Sequence, residues 1–339
     1  MHKSHDNFIQ TNIFVLGLLF VGLFLSVQRV NAQDSEMNRN IYSVIYNRVG
    51  DNYPYPLLGL INRSGSHYFG MHLGVYNKAD GVFSGLQIGG FNTIIKSDGA
   101  AQFGYLNYSS EGSPLQFGIM NTAQVKKNGF AFQFGGWNDL YSGYELLRYD
   151  SDTLFSVGWV TDYLAIQVGA INDIPSLNGI QFGLFNFTDT IYNGLQIGFL
   201  SFVRKGGYMA VEGFAATNGF SGFAFKTGLR KFYTLVLLGY HPNSRDALVN
   251  GWGMGTILPL YSNSLGLNIE YAYIQDIFSP RTFLSNMLSF NVRWTILQKY
   301  NLSIGPLLSR ERYETHQEFQ ETTNNLNVGL RLGLSYDFR

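Results

Sequence analysis

One polar residue type recurs at a fixed place along the chain: Gln87, Gln102, Gln116, Gln133, Gln167, Gln181 and Gln196. A Gln amide donates and accepts hydrogen bonds but neither gains nor loses a proton near neutral pH. Such a series can line a lumen and hold water or a small polar solute. It can also bond from strand to strand, the reading that cross-strand pairing favours. The other groups with chemical potential are scattered. His67 and His72 lie five residues apart, on opposite faces of a strand, which does not suit a metal pair. His316 stands among Glu311, Glu314, Glu318 and Glu321, and Asp150 stands near Asp152, both in charged stretches that read as solvated loops. Ser221, in Gly-Phe-Ser-Gly, is not a nucleophile elbow. There is no P-loop, no His-Glu-x-x-His and no cysteine for a metal site. Gly251-Trp-Gly-Met-Gly255 opens no helix, which excludes the dinucleotide reading. The expectation is a protein that is not an enzyme and takes no cofactor.

The Gln residues belong to a repeat, typified by Gly85-Leu-Gln-Ile-Gly-Gly-Phe-Asn92. Close copies are Ala101–Asn107, Leu115–Asn121, Phe132–Asn138, Ile166–Asn172, Ile180–Asn186 and Leu195–Ser201, with looser ones at Pro56–Asn62 and Met71–Asn77. The central glycines, Gly59 to Gly198, recur with a period near 15, apart from one 34-residue gap. Alternation around each Gln reads as a strand of about ten residues. Asn178-Gly179, Asn193-Gly194 and Lys126-Lys127-Asn128-Gly129 mark tight turns between strands. The repeat windows contain no Lys, Arg, Asp or Glu; the charges lie in the gaps. A soluble sheet with one wet face would place charges on alternate strand positions. The sixth position of each unit is bulky and apolar, yet strict alternation puts it on the Gln face; a bulge at the glycine would return it to the apolar face. The gap holds an insertion, Asp139–Thr161, whose segment Phe155–Thr161 reads as a degenerate unit. Met209–Gly213 continues the rhythm weakly.

Beyond about Gly219 the repeat ends, but strand texture continues through Gly222–Lys231, Tyr233–Tyr240, Gly251–Leu260, Leu265–Ile274, Leu288–Leu297, Leu302–Ser309 and Leu326–Phe338. Glu270, Arg293 and Arg331 sit in these strands between apolar neighbours, the pattern of a barrel wall that is apolar outside and polar inside. Arg310–Thr323 reads as a charged loop. At the N-terminus, Lys3, the apolar run Ile13–Val27 and Val30-Asn31-Ala32 form a secretion signal, with Gln33 expected as the first mature residue. Lys plus Arg and Asp plus Glu balance at 23 each, which gives no basis for nucleic-acid binding. An exported chain without cysteines must be held by hydrogen bonds and burial alone.

The last strand, Gly329–Phe338, resembles the C-terminal strand of bacterial outer-membrane barrels, which usually end on an aromatic residue; here Arg339 follows Phe338. The repeats from Leu57 to Gly213 resemble a poorly characterised family of bacterial surface-repeat proteins, and Ala224–Tyr233 looks like the segment that follows the repeats there. That resemblance implies location and architecture but no chemistry.

Together these features predict an all-β chain. The favoured architecture is one antiparallel transmembrane β-barrel of about 16–20 strands: residues 1–32 a signal peptide, 33–215 repeat-built strands, 216–339 the strands completing the same barrel. The alternative is a β-solenoid repeat region followed by barrel-like C-terminal strands. The first implies an outer-membrane protein, structural or a passive channel, with the lipid bilayer as partner and the Gln series lining its lumen. The second implies a secreted or cell-surface module for binding or adhesion. Neither carries a sign of oligomeric state.

Overall fold

The computed structural model describes residues 40–338 except 113, 143, 149–154, 160–162, 243, 245–246, 263, 279–282 and 315–321. The secretion signal, Asp150, Asp152 and His316 therefore lie outside the described residues. The described chain is all-β, in two architectures joined end to end.

Residues 46–205 form a solenoid. Its rungs stack parallel and in register: Tyr46–Val49 on Ile61–Ser64, that strand on Tyr76–Ala79, and onward. Phe103 pairs with Phe117, Phe117 with Phe134, and Gln133 with Gln167. The all-β class holds and the architecture is the alternative, a β-solenoid followed by C-terminal barrel strands; the single antiparallel barrel of 16–20 strands is corrected, because the repeats are rungs, not barrel staves. The physical reason lies in the polar residues. Only parallel stacking brings each Asn and Gln beside its own counterpart, so that identical amides bond in unbroken rows. The insertion adds no rung. Tyr144–Arg148 pairs antiparallel with Phe155–Trp159, while Phe132 pairs directly with Ile166 across the gap.

The chain breaks direction at each central glycine. Ladder pairing lapses between Gly104↔Gly118 and Leu106↔Met120. This break lets Gln102 and Asn107, five apart, both point inward, whereas a straight strand would send them to opposite faces. Their bulky neighbours Phe103, Tyr105 and Leu106 face outward together. Small, aliphatic and aromatic residues fill the rest of the solenoid interior, among them Ala79, Phe83, Ile94 and Ala100 in one cluster and Ala123, Leu140, Ile174 and Leu177 in another.

Residues 208–337 form a closed antiparallel barrel of eight strands. These are Tyr208–Ala216, Ser221–Leu229, Phe232–Tyr240, Leu248–Ser262, Leu265–Asp276, Phe283–Leu297, Tyr300–Glu314 and Thr322–Asp337. The last pairs with the first, Val211 opposite Tyr336, and so closes the sheet. Each strand has at least nine residues, the length that crosses a bilayer when tilted. The barrel starts at Tyr208 rather than 216: Met209–Gly213 is its first strand, not a last repeat. Outward positions carry Phe223, Leu238, Trp252, Val328, Leu330 and Leu334, all exposed. Inward ones combine polar and charged groups with buried apolar ones such as Phe214, Ile274, Phe283 and Leu307.

A solenoid ends on an open strand edge, which must be covered. Here the barrel's outer wall covers it. Thr227 and Thr234 point outward from the second and third barrel strands, yet both are buried. The Ser201 backbone N–H donates to Thr227 Oγ1 at 3.1 Å. The last repeat ends in Ser201 instead of Asn because its neighbour is the barrel wall and not another rung.

Candidate functional site

Two polar constructions stand out: the charged interior of the barrel and the amide rows of the solenoid.

In the barrel, strand alternation aims Glu212 from the first strand, Lys226 from the second, Glu270 from the fifth and Arg331 from the eighth at one level of the lumen. They form a closed ring of ion pairs. Lys226 bonds Glu212 and Glu270. Arg331 bonds Glu270 through Nη1 and Glu212 through Nη2, the latter at 3.1 Å. The Tyr233 hydroxyl lies 2.6 Å from Glu270 Oε1 and also contacts Asn268. The Arg331 guanidinium stacks 4.7 Å from the centre of the Phe214 ring. Two cations and two anions balance. That balance is required, because an unpaired charge away from water is strongly unfavourable. Arg331 is only 2% exposed, although it lies on the barrel's inside.

Further polar groups occupy the lumen on either side of this ring. Towards the longer loops, Glu311 accepts from Ser309 at 3.1 Å and from Asn218 at 3.3 Å, and faces His241 Nε2 at 3.2 Å. Towards the short turns, Arg293 donates to Asp337 at 2.6 Å. Glu311 corrects the reading of Arg310–Thr323 as a loop: the seventh strand runs to Glu314 and buries Glu311. The arrangement fills and braces a lumen.

The Gln series is not in that lumen, which corrects its assignment as a lumen lining. Gln87, Gln102, Gln116, Gln133, Gln167, Gln181 and Gln196 are buried in the solenoid. From Gln102 onward each Nε2 donates to the Oε1 of the preceding Gln, for example Gln116 to Gln102 at 2.8 Å and Gln181 to Gln167 at 2.7 Å. A second row runs beside it in the opposite donor sense. Asn47 donates to Asn62, Asn62 to Asn77 and so on to Asn172 and Asn186, each at 2.8–2.9 Å. The Asn amides also donate to backbone carbonyls of the next rung, such as Asn121 to Phe134 at 3.0 Å. The rows are therefore the solenoid's spine. Asn closes every unit but the last, where Ser201 stands, and stacked Gln and Asn rows are what the solenoid alternative implies.

His72 takes the place of a Gln in that row, 3.2 Å from Gln87 and packed against Tyr68 and Phe83; His67 is exposed and apart from it. Burial pulls its pKa down to about 3, so the folded ring is neutral. The unfolded imidazole titrates near 6.5. Below that value the unfolded chain binds a proton that the folded chain refuses. Stability is thus fully present above pH 6.5 and lost as pH falls towards 3. The loss at pH 5 is expected to be about 2 kcal/mol. His72→Gln restores the row's own residue and should flatten this slope in urea titrations at pH 7.5 and pH 5. An unchanged slope contradicts the assignment.

Ser221 opens the second barrel strand, half-buried, with no His or acid bonded to it among the described contacts. No group of three or more His, Asp or Glu suited to a metal ion occurs among the described residues. Glu212 and Lys226 were missed in the sequence. Both carry the signal that marked Glu270 and Arg331, a lone charge between apolar neighbours within a strand.

No protein-family model and no curated protein sequence matches the chain. Among solved structures it is similar to the crystal structure of Neisserial surface protein A (NspA), at 13% identity over 40% of this chain and 98% of that one, with a TM-score of 0.24.

Proposed function

We propose that the chain is a non-enzymatic, integral protein of a bacterial outer membrane, in which the barrel is a closed anchor and the solenoid the part it holds in place. The observation that carries this reading is the ring of Glu212, Lys226, Glu270 and Arg331 across the lumen. Eight strands leave an interior just wide enough for side chains to fill. A ring of paired charges buried across it leaves no continuous water path for a solute. Apolar residues outside, polar inside and strands of spanning length support the membrane setting. So do the repeat resemblance and the aromatic residue near the end of the last strand.

The connections support an orientation. Arg230–Lys231 and Gln298–Lys299 are two-residue turns, at the end where Lys205-Gly206-Gly207 leads in from the solenoid. The opposite end carries the longer connections 217–220, 241–247, 277–282 and 315–321. In outer-membrane barrels the short turns face the periplasm, which puts the solenoid on that side.

The test is planar-bilayer recording of the refolded chain. Inserted protein is expected to leave the membrane without stable conductance steps. Steady ion conductance by wild-type protein would overturn the closed-anchor reading in favour of a passive channel.

A further inference from the structure

The solenoid is apolar outside as well as in its two interior clusters around Ile94 and Leu140. Amide rows occupy its interior, while the charge-free repeat windows put aromatic and aliphatic side chains outside. Phe134, Trp137, Phe182 and Leu184 are each about half exposed, at 53%, 47%, 54% and 57%. They fall in columns that run the length of the stack, because the rungs are in register. At about 4.8 Å per rung, the ten rungs from Asn47 to Ser201 extend these columns over about 45 Å. An exposed apolar surface of that extent on a soluble protein marks a contact site.

The charges lie elsewhere on each rung. Lys96 pairs with Glu111 and Lys126 with Asp98, each at 3.8 Å, and Arg204 pairs with Asp189 at 2.6 Å. All belong to the gaps between repeat windows. These ion pairs thus lie outside the repeat windows that carry Phe134, Trp137, Phe182 and Leu184.

The apolar side does not stop at the solenoid's end. Phe199 and Leu200 of the last rung line one groove with Phe223, Phe225, Val236 and Leu238 of the barrel. Phe223 and Leu238 point outward from the barrel wall, at 68% and 55% exposure. The two apolar surfaces are therefore one surface. They join beside Thr227 and Thr234, on the two strands that the short turn Arg230–Lys231 connects.

We infer that the solenoid is an in-plane membrane element. Its apolar side rests in the acyl-chain boundary of the leaflet on the short-turn side, and its charged side faces water. This deepens the proposed function and rests on it, since continuity with the barrel's lipid-facing wall is what selects lipid as the occupant. The mode is that of an interfacial amphipathic helix, with a two-sided stack of strands in place of the helix. The amide rows suit it: their interior hydrogen bonds, stronger away from water, hold the rungs together beside the buried apolar clusters.

The chain's own tryptophans provide the test. Trp252 is outward on the barrel, and Trp137 is on the solenoid's apolar side. Two single-tryptophan proteins, the other three tryptophans replaced by Phe, would be reconstituted into phosphatidylcholine vesicles with brominated acyl chains. A third would carry Lys127→Trp, on the charged side, in a chain with all four tryptophans replaced by Phe. Heat-modifiable migration on a gel checks folding of each. The expected result is bromine quenching of Trp137 comparable with that of Trp252, and no quenching at position 127. Quenching of Trp252 without quenching of Trp137 overturns the in-plane solenoid and leaves the membrane barrel standing. If Trp137 is then also shielded from aqueous iodide, a second copy or another protein covers that side, and the inference falls equally. If Trp252 itself is unquenched, the barrel is not in lipid and the proposed function fails first.

Discussion

Gly118→Ala is expected to loosen the solenoid at mid-length, while Gly90→Ala, at a neighbouring position of the same repeat, leaves it intact. A Cβ on Gly118 would lie 2.6 Å from the Asn107 amide nitrogen and closer still to the Gly104 carbonyl oxygen. Neither neighbour can withdraw. The carbonyl belongs to the rung beneath, and the amide is tied to Phe117 O at 2.9 Å and Asn121 Oδ1 at 2.9 Å. The same approach recurs at Gly89, Gly135, Gly169 and Gly198, so the glycine column exists to let rungs touch. Overpacking of this kind costs about 1–3 kcal/mol, and a displaced buried amide about 1–3 more. A Cβ on Gly90 meets Val75 O at 3.2 Å on the outside, in a column where other rungs carry Tyr105, Ile119 and Leu184. Its replacement should change stability by no more than about 0.5 kcal/mol. Hydrogen exchange of rung amides in urea measures both. Equal effects at the two positions would contradict the close-approach explanation.

Arg331→Leu is expected to have the largest effect on the barrel. It leaves Glu212 and Glu270 sharing Lys226 alone, two buried anions with one cation. Breaking a buried pair in this way costs about 3–5 kcal/mol. Adding Glu270→Gln restores one cation to one anion and should recover most of the loss. Unfolding by urea in lipid vesicles, for the two single variants and the double, gives the coupling directly. If the double variant is no more stable than Arg331→Leu alone, the loss came from Arg331 packing on Phe214 and not from charge balance.

The all-β class and most barrel strands were legible because they rest on local rules. Period-2 alternation with lone inward charges located Leu265–Ile274 and the strand ending near Phe338 to within a few residues. What local rules could not give was the direction of stacking. A window such as Leu-Gln-Phe-Gly-Ile-Met-Asn reads as a strand whether its neighbour runs parallel or antiparallel. The absence of charge from these windows fits a barrel wall, and it fits equally the apolar outside of this solenoid. The deciding residue was Asn, five places after Gln in six of the units: no single straight strand can bury both, but a rung that bends at glycine can. The barrel's first strand was hidden for a related reason. Met209–Gly213 keeps the repeat's spacing, and its lone charge, Glu212, finds its partners only in strands 14 to 119 residues further along.

Successive repeats stack parallel and in register outside an eight-stranded barrel. Engineered disulfides test this stacking most directly, because the chain contains no cysteine of its own. Ala101 lies opposite Leu115, and Tyr108 opposite Thr122. Neighbouring strands are about 4.8 Å apart, within disulfide reach of about 4.4–6.8 Å between Cα atoms. Ala101→Cys with Leu115→Cys, and separately Tyr108→Cys with Thr122→Cys, should both cross-link under mild oxidation. Ala101→Cys with Ile119→Cys should not. An antiparallel hairpin turning near Ser110 makes the reverse prediction: it joins 101 to 119 and separates 108 from 122. Cross-linking of 101 with 119, without either in-register pair, would contradict the solenoid.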